Sequence, residues 1–178
     1  MKQALILSCS KAKRGTEEGN RAAINVYDGP MFRILRQYKP HLDVYILSAR
    51  YGLIEAIHPI LSYDLTLKDV PMREVVVDAH VQGRQIAEGC FDLMSYNCIY
   101  AVMGLNYLRW LLMILDVATK ERGTALSYFN SLRLPTLACS GIGQMQRVLV
   151  DICAENVNTK LPPPAWHRAV EQYEKGTK

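Results

Sequence analysis

Four short apolar runs constrain the fold of this chain more than any other feature. They cover residues 3–8, 43–49, 98–103 and 134–139. A strand that is apolar along its whole length is buried on both faces, and such burial is typical of parallel sheets covered by crossover helices. The four runs therefore predict a central, mainly parallel four-stranded sheet.

Segments with the helical spacing of apolar residues separate these runs. They cover residues 30–39, 71–95, 105–119 and 143–156. Pro30 suits the first turn of the helix that it opens, and Asp28 lies near the cap of that helix. Alternating strands and helices predict an α/β fold, arranged as a three-layer α/β/α sandwich. We expect one α/β domain over residues 1–160, then a Pro-rich linker and a short C-terminal helix over residues 161–178.

The composition excludes several classes of protein. With 178 residues, 49% of them apolar, the chain is long enough to bury a core without disulfides or a metal. No apolar run reaches the ~18 residues that a membrane helix needs, and the N-terminus lacks the apolar core of a secretion signal. The five cysteines are widely spaced and form no C-x-x-C pair. We therefore predict a cytoplasmic protein with no membrane contact, no metal site and no cofactor.

Ligands of parallel α/β sheets bind beyond the carboxyl ends of the strands, so the residues that follow each predicted strand are candidate site residues. After the first strand, a turn combines hydroxyl and thiol side chains with lysines, namely Ser8, Cys9, Ser10, Lys11 and Lys13. Backbone N–H groups and lysine charges in such a turn bind phosphate, although a solvated basic loop explains them equally well. Cys9 is also a candidate nucleophile, provided that a neighbouring cation lowers the pKa of its thiol.

Aromatic and acidic side chains follow the first turn. The ring of Tyr27, like that of Tyr51, is a candidate platform for stacking a nucleobase. The residues around the second strand that we predict to contact a ligand are Ser48, Arg50, Tyr51, Gly52 and Tyr63. Asp64 is a candidate general base or a ligand for a ribose hydroxyl. A turn aspartate bonded to local N–H groups is the competing explanation for Asp64.

Glycines lie at the start of the last two predicted helices. Gly104 follows the third strand, where it permits a ligand to approach a helix N-terminus or simply forms a tight turn. Gly141 and Gly143 form a G-I-G stretch that leads into the last helix, with Arg147 one turn further on. This stretch is similar to the hairpin of helix-hairpin-helix motifs, whose backbone N–H groups bind DNA phosphates without reading sequence. An anion-binding helix start is the simpler interpretation.

Together, these junctions resemble the YaaA-like proteins, in particular a short bacterial and phage subgroup with a Cys-x-Lys-x-Lys start. The other matching stretches are Y-D-G-P-M-F, L-S-A-R-Y-G-L-I, S-Y-D-L-T-L and G-I-G, which span most of residues 3–150. The resemblance implies an α/β core akin to the uracil-DNA-glycosylase type and a role in handling nucleotides or DNA. Longer YaaA-like relatives are associated with peroxide stress and DNA binding.

Three functions are compatible with these features. The first is a protein that binds a nucleotide or nucleic-acid phosphate at the strand ends, as an enzyme acting on a nucleobase or an N-glycosidic bond. The second is a non-catalytic, DNA-binding stress-response protein that uses the basic turn and the G-I-G helix start. The net charge of +4 is compatible with a polyanionic partner in both. The third is a thiol enzyme or redox sensor based on Cys9.

Overall fold

The computed structural model describes residues 2–14, 20–123, 132–133 and 141–154. Within these ranges the strands are β1 (Gln3–Ser8), β2 (Arg21–Ala22), β3 (Asp43–Ser48), β4 (Gly52–Glu55), β5 (Pro59–Ile60), β6 (Cys98–Val102) and β7 (Leu132–Arg133). The α-helices are α1 (Ala23–Val26), α2 (Pro30–Tyr38), α3 (Met72–Ala87), α4 (Leu105–Glu121) and α5 (Ile142–Cys153). Short 3-10 helices precede α3 and β6, at Leu67–Asp69 and Leu93–Ser95.

Five of these strands form one sheet in the order β4-β3-β1-β6-β7. β1 is central and pairs in parallel with both neighbours, so that Leu5 lies opposite Val44 of β3 and Tyr100 of β6. β7 continues the parallel set beyond β6, and β4 pairs antiparallel with β3. Since β1, β3 and β6 run in the same direction, their carboxyl ends meet at one edge of the sheet, where α/β proteins bind ligands.

The side chains of β1 alternate between the two faces of the sheet and contribute to two apolar clusters. Ala4 and Ile6 belong to the cluster that also contains residues of α3 and α4. Leu5 and Leu7 belong to the cluster that contains residues of α1, α2 and α5. All four side chains are fully buried, which explains why this strand is apolar along its whole length.

The α/β class with a mainly parallel central sheet is confirmed. The parallel part of the sheet has four strands, β3, β1, β6 and β7. The prediction did not include the antiparallel edge strand β4, which has only four residues and follows β3 after a tight turn. The predicted strand over 134–139 lies outside the described residues, as does the linker and helix predicted over 161–178. Among the described helices, none is both long enough and apolar enough to cross a bilayer.

The helix predicted over 71–95 is shorter than expected, because α3 ends at Ala87. Gly89 then adopts a positive φ of 89°, and its N–H donates to the carbonyl of Ile86. The next N–H along the chain donates to the carbonyl of Gln85. This pair of bonds is the Schellman arrangement, which ends many helices at a glycine.

Candidate functional site

A cleft of about 840 Å³ opens at the carboxyl ends of β1 and β6. We call it the carboxyl-edge cleft, and it is lined by Lys11, Asp64, Thr66, Leu67, Lys68, Asp69, Gly104, Leu105, Asn106 and Tyr107. These residues come from the turn after β1, the connection from β5 to α3, and the first turn of α4. The cleft therefore brings together three residues that the sequence predicts for the site, Lys11, Asp64 and Gly104.

The first turn of α4 forms one wall of the carboxyl-edge cleft. Gly104 is the cap residue, and it has no side chain to bond the free N–H groups. None of the described residues has an atom within 4 Å of where a Cβ at Gly104 would be. The N–H of Leu108 donates to the Gly104 carbonyl. The N–H groups before Leu108 have no carbonyl within the helix to receive them. Together with the positive end of the helix dipole, they favour an anion in the cleft.

Two lysines and two carboxylates also line the cleft, namely Lys11, Lys68, Asp64 and Asp69. Both the hydroxyl and the N–H of Thr66 donate to the Asp69 carboxylate, at 2.7 and 2.8 Å, which fixes the 3-10 helix that carries Lys68. These bonds, and then the charges of the two lysines, lower the pKa of Asp69. The two lysines and two carboxylates balance in formal charge, and the N-terminus of α4 adds a partial positive charge to the cleft.

Tyr107 connects the three segments that surround the cleft. Its hydroxyl oxygen lies 3.1 Å from the Cys9 sulfur and accepts the N–H of Leu67 at 3.2 Å. Burial raises the pKa of Tyr107 well above its usual range, so the phenol stays protonated near pH 7. Cys9, which the sequence predicts as a nucleophile, is half-buried, and its sulfur contacts the neutral hydroxyl of Tyr107.

Lys13 extends over aromatic rings at the border of the cleft. Its Nζ lies 4.3 Å from the centre of the Tyr63 ring, a cation–π distance, and donates to the carbonyl of Lys11 at 3.3 Å. Burial lowers the pKa of Lys13, while neighbouring Cys9 and Asp64 act in the opposite direction. The Lys13 ammonium therefore contacts groups of its own fold, and Lys11 is the more open of the two predicted phosphate ligands.

Three buried hydroxyls form a closed set of hydrogen bonds beside Lys13. We call this set the hydroxyl ring, and its members are Tyr27, Ser48 and Tyr63. Tyr27 Oη donates to Ser48 Oγ at 3.0 Å, the two tyrosine oxygens are 2.8 Å apart, and Ser48 Oγ is 2.7 Å from Tyr63 Oη. Because the hydroxyl of Tyr27 donates its hydrogen bond to Ser48, the set is complete when Ser48 donates to Tyr63 and Tyr63 donates to Tyr27. Burial raises the pKa of Tyr27 to about 12 and also raises that of Tyr63, so both phenols are neutral at pH 7.

The burial of Tyr27 corrects one of the predicted roles. Its ring is fully buried between Phe32 and Tyr63 and has no free face on which a nucleobase can stack. Tyr51 is only half-buried, with its ring packed edge-on against Tyr63. Arg50 lies over the Tyr51 ring, 5.8 Å from its centre. Of the two predicted platforms, Tyr51 is thus the one with accessible aromatic surface.

The turn after β1 is held by bonds to the segment that precedes α2. Lys13 and Tyr27 form an antiparallel bridge between the two segments. Ser10 Oγ donates to the carbonyl of Ala12 at 2.7 Å and accepts the N–H of Gly29 at 3.1 Å. The Ser10 hydroxyl, predicted to bind a ligand, is therefore used to hold the turn.

Asp28 fixes the same turn by charge. Its carboxylate accepts hydrogen bonds from Arg14 at 3.0 Å, from Arg33 at 3.1 Å and from Arg36 at 2.6 Å. The bond from Arg33 is the main reason why the pKa of Asp28 lies below its usual value. Asp28 therefore clamps the turn to α2, a larger role than the helix cap that its position in the sequence predicts.

Gly52, Ser8 and Ser48 also contribute to the fold at positions where we predicted ligand contact. Gly52 begins β4 with a positive φ of 68°, and a Cβ there would collide with the side chain of Gln82. Gln82 in turn accepts the N–H of the residue after Gly52. Ser8 ends β1, paired with Leu47 of β3, and Ser48 is fully buried in the hydroxyl ring. Local packing explains these three residues without a ligand.

The predicted residues of α5 are not among the described residues that line the carboxyl-edge cleft. Gly141 caps α5 and Gly143 lies in its first turn; both are exposed, with open space around them. Arg147 is exposed one turn further on. Of the described residues that line the carboxyl-edge cleft, none comes from α5. The α5 side chains Met145 and Leu149 instead belong to the same apolar cluster as Tyr27 and Tyr63.

Several polar lining residues were missed by the sequence prediction. They are Thr66, Lys68, Asp69, Asn106 and Tyr107. Asn106 and Tyr107 follow Gly104 almost directly, so the rule that selects residues after a strand also applies to them. Thr66 and Asp69 have the spacing of a capping box, which is a sequence signal for the 3-10 helix that presents Lys68.

Comparison with known proteins identifies a family but no activity. No curated protein and no solved structure matches the chain. The model of a family of unknown function, DUF6884, matches residues 4–125, which is more than half of the chain. The matched part contains all of the described residues that line the carboxyl-edge cleft. The chain therefore belongs to DUF6884, a family of unknown function.

Proposed function

We propose that the carboxyl-edge cleft binds the phosphate group of a nucleotide or of a nucleic acid. The observation that carries the proposal is the convergence of the α4 N-terminus with Lys11 and Lys68 at the carboxyl ends of β1 and β6. Helix starts at this edge of an α/β sheet are well suited to phosphate. A volume of about 840 Å³ leaves room for a sugar and a base beside the phosphate.

Asp64 favours a reaction in the cleft over binding alone. It lines the cleft, is exposed, and makes no hydrogen bond or ion pair with the described residues. A free carboxylate beside a bound nucleoside orients a water molecule or holds a sugar hydroxyl. We therefore assign Asp64 as the general base of an enzyme that acts on a nucleobase or an N-glycosidic bond. In the second case, Asp64 accepts a proton from water while the water oxygen bonds to the sugar carbon; the bond between that carbon and the base nitrogen breaks, and the departing base takes up a proton from solvent.

A second candidate function is non-catalytic DNA binding, and α5 is the feature that favours it. The exposed Gly141 and Gly143 at the start of α5 leave N–H groups accessible to phosphate, and Arg147 adds positive charge nearby. Contacts of this kind do not read sequence, and their affinity falls steeply with salt.

The architecture and the wider relationship of the chain are also proposals. Two apolar clusters, one with α3 and α4 and the other with α1, α2 and α5, support a three-layer α/β/α sandwich. The mainly parallel sheet is compatible with the YaaA-like resemblance and its uracil-DNA-glycosylase-type core. We retain a cytoplasmic location on the basis of the sequence.

Fluorescence anisotropy with labelled single- and double-stranded DNA tests the proposal, at low and moderate salt and with free mononucleotides as competitors. We expect Lys11→Ala and Lys68→Ala each to weaken binding about tenfold, the effect of losing one charged contact of ~1.4 kcal/mol. The matched control is Lys120→Ala, which removes an exposed lysine from the other end of α4.

The outcomes separate the two functions. If one mononucleotide displaces labelled DNA from the wild type but not from Lys11→Ala, the result supports a nucleotide site in the cleft. DNA binding that ignores mononucleotides and depends on Arg147 supports the second function. Equal affinities of the Lys11, Lys68 and Lys120 variants contradict the assignment of the cleft.

A further inference from the structure

We propose that a second cavity, at the opposite edge of the sheet, binds a linear organic cation with an ammonium group at each end. The cavity has a volume of about 550 Å³, which is within the range of small-molecule sites. It opens where β1 and β3 begin and β4 ends, beside the connection from α3 to β6. We call it the amino-edge cavity, and among the described residues it shares none with the carboxyl-edge cleft.

Carboxylates outnumber basic groups around the amino-edge cavity. It is lined by Asp43, Glu55 and Asp92, and among its described lining residues Lys2 alone is basic. Lys2 Nζ lies 3.7 Å from Asp92 Oδ2, so the charge of Asp92 is compensated. Asp43 and Glu55 form no ion pair with the described residues. The cavity therefore carries two uncompensated negative charges, which favour a ligand with two positive charges.

The pairing of β3 with β4 places these two carboxylates on one face of the sheet. Glu55 lies directly opposite Tyr45, and Asp43 is two residues before Tyr45 on the same strand. Residues in this diagonal relationship have Cβ atoms about 7 Å apart. Among the described residues, no group of three or more His, Cys, Asp or Glu side chains is placed to hold a metal ion. Two ammonium groups joined by a short alkyl chain fit this spacing better than one metal ion does.

A series of hydroxyl groups orients Asp43. Tyr96 Oη donates to Asp43 Oδ2 at 2.6 Å, and Tyr45 Oη lies 3.0 Å from Tyr96 Oη. Because Tyr96 has a single proton and donates it to Asp43, Tyr45 donates to Tyr96. Both tyrosines are buried, and burial raises the pKa of Tyr96 well above its usual range, so the donor stays neutral and protonated. Asp43 Oδ1 makes no hydrogen bond with the described residues and remains available to a ligand.

An ammonium group of the chain itself already uses the wall of the amino-edge cavity. Lys2 Nζ lies 4.4 Å from the centre of the Tyr96 ring and donates to Ser95 Oγ at 3.0 Å. Together with the carboxylate of Asp92, these contacts combine an aromatic ring, a hydroxyl and an acid around one alkyl ammonium. Phe91 adds a half-buried ring to the lining. The groups that bind Lys2 are thus of the same kinds as those that the rest of the cavity offers to a ligand.

Apolar side chains form another part of the wall. They include Leu42, Val44 and Ile57. Ile57 is 74% exposed, although the neighbouring Ala56 is buried. The alkyl chain of a diamine would cover part of this apolar surface, and the burial of methylene groups is favourable. A small inorganic cation would make no such contact.

Isothermal titration calorimetry of the full chain with diaminobutane tests the proposal. The comparison ligands are butylamine, which has the same alkyl chain and one ammonium group, and magnesium chloride. We expect diaminobutane to bind at least tenfold more tightly than butylamine, because only the diamine contacts both carboxylates. Magnesium at the same concentration should not displace it.

Two variants locate the binding site. Asp43→Asn and Glu55→Gln should each weaken the binding of diaminobutane about tenfold. Both residues are exposed, and both substitutions keep the size of the side chain, so we expect the fold to be retained, which circular dichroism checks. The matched control is Glu74→Gln, which removes the same charge from an exposed residue at the start of α3, outside the lining of the cavity.

Three results would overturn the proposal. One is a wild-type chain that does not bind diaminobutane even in the millimolar range. Another is equal affinity for diaminobutane and butylamine, or displacement of the diamine by magnesium. The last is a Glu74→Gln variant that binds as weakly as Asp43→Asn, which would indicate an effect of net charge rather than a site. These titrations contain no nucleotide, so they do not depend on the function of the carboxyl-edge cleft.

Discussion

The sulfur of Cys9 lies 3.1 Å from the hydroxyl oxygen of Tyr107, and this contact joins the end of β1 to the first turn of α4. The same oxygen accepts the N–H of Leu67 at 3.2 Å. One side chain therefore sets the relative position of the three segments that surround the carboxyl-edge cleft.

Tyr107→Phe should lower the free energy of unfolding by about 1–2 kcal/mol, because the N–H of Leu67 loses its partner in a partly buried place. Urea denaturation measures the change. The control is Tyr38→Phe, whose hydroxyl makes no hydrogen bond with the described residues and whose side chain is 40% exposed. Equal stabilities of the two variants would show that the Tyr107 hydroxyl does not hold the segments together.

Ser48→Ala should lower the free energy of unfolding by more than Tyr107→Phe does, by about 2–4 kcal/mol. Ser48 Oγ makes hydrogen bonds with both tyrosines of the hydroxyl ring, and it also accepts the N–H groups of Arg50 and Tyr51. Two buried phenols are then left incompletely bonded. Thermal and urea unfolding should agree on this loss. Ser62→Ala, at an exposed serine, is the comparison, and a loss no larger than that of Ser62→Ala would contradict the hydroxyl ring.

Gly52→Ala and Gly123→Ala separate backbone strain from collision. Both glycines have a φ of 68°, but a Cβ at Gly52 would collide with Gln82, whereas none of the described residues lies within 4 Å of a Cβ at Gly123. We expect Gly123→Ala to lower the free energy of unfolding by about 1 kcal/mol, and Gly52→Ala to lower it by clearly more. Unfolding free energies in urea give the comparison. If the two variants are equally stable, Gln82 moves aside without cost.

The stability of the protein should fall between about pH 10 and pH 12 in a way that depends on Tyr27. Burial raises the pKa of Tyr27 from 10.0 to about 12, so the unfolded chain releases this proton first. The contribution of protonated Tyr27 is complete below pH 10 and is lost as the pH rises towards 12. Over this interval, the unfolding free energy of Tyr27→Phe should decline less steeply than that of the wild type, by up to about 1.4 kcal/mol per pH unit. Parallel pH profiles would contradict the burial of a neutral phenol.

Asp64→Asn should separate binding from chemistry in the proposed enzyme. The amide keeps the size of the side chain but cannot accept a proton from water, so ligand affinity should change little while base release falls at least a hundredfold. Chromatographic detection of free base, alongside anisotropy, measures both. Undiminished base release would remove Asp64 from the reaction, and a loss of affinity alone would make it a binding residue.

The sequence predicts three of the strands and part of the lining of the cleft. β1, β3 and β6 are predictable because burial on both faces requires continuous apolar runs, and β4 is not, because it is short and begins with glycine. Topology alone brings the ends of parallel strands together, which is why Lys11 and Gly104 were found without any contact information. Asp64 lies in the connection from β5 to α3 and was selected for its carboxylate.

The burial of single side chains is harder to predict than the position of the strand ends. A tyrosine suits both a core and a stacking platform, and only the contacts of Tyr27 with Ser48 and Tyr63 place it in the core. The same applies to Ser10, whose hydroxyl oxygen accepts a hydrogen bond from the N–H of Gly29, a residue that is distant in sequence. Such partners come from the tertiary fold and leave no periodic pattern in the sequence.

The clamp formed by Asp28 has a consequence for affinity. Since Asp28, its arginines and the bridge between Lys13 and Tyr27 fix the turn after β1, the backbone that presents Lys11 is preorganised. If the cleft binds phosphate as proposed, binding does not include the conformational entropy cost of ordering that turn, about 1–2 kcal/mol for each residue. A change at Asp28 would therefore weaken binding from a distance, through entropy, although its carboxylate lies outside the set of residues that line the cleft.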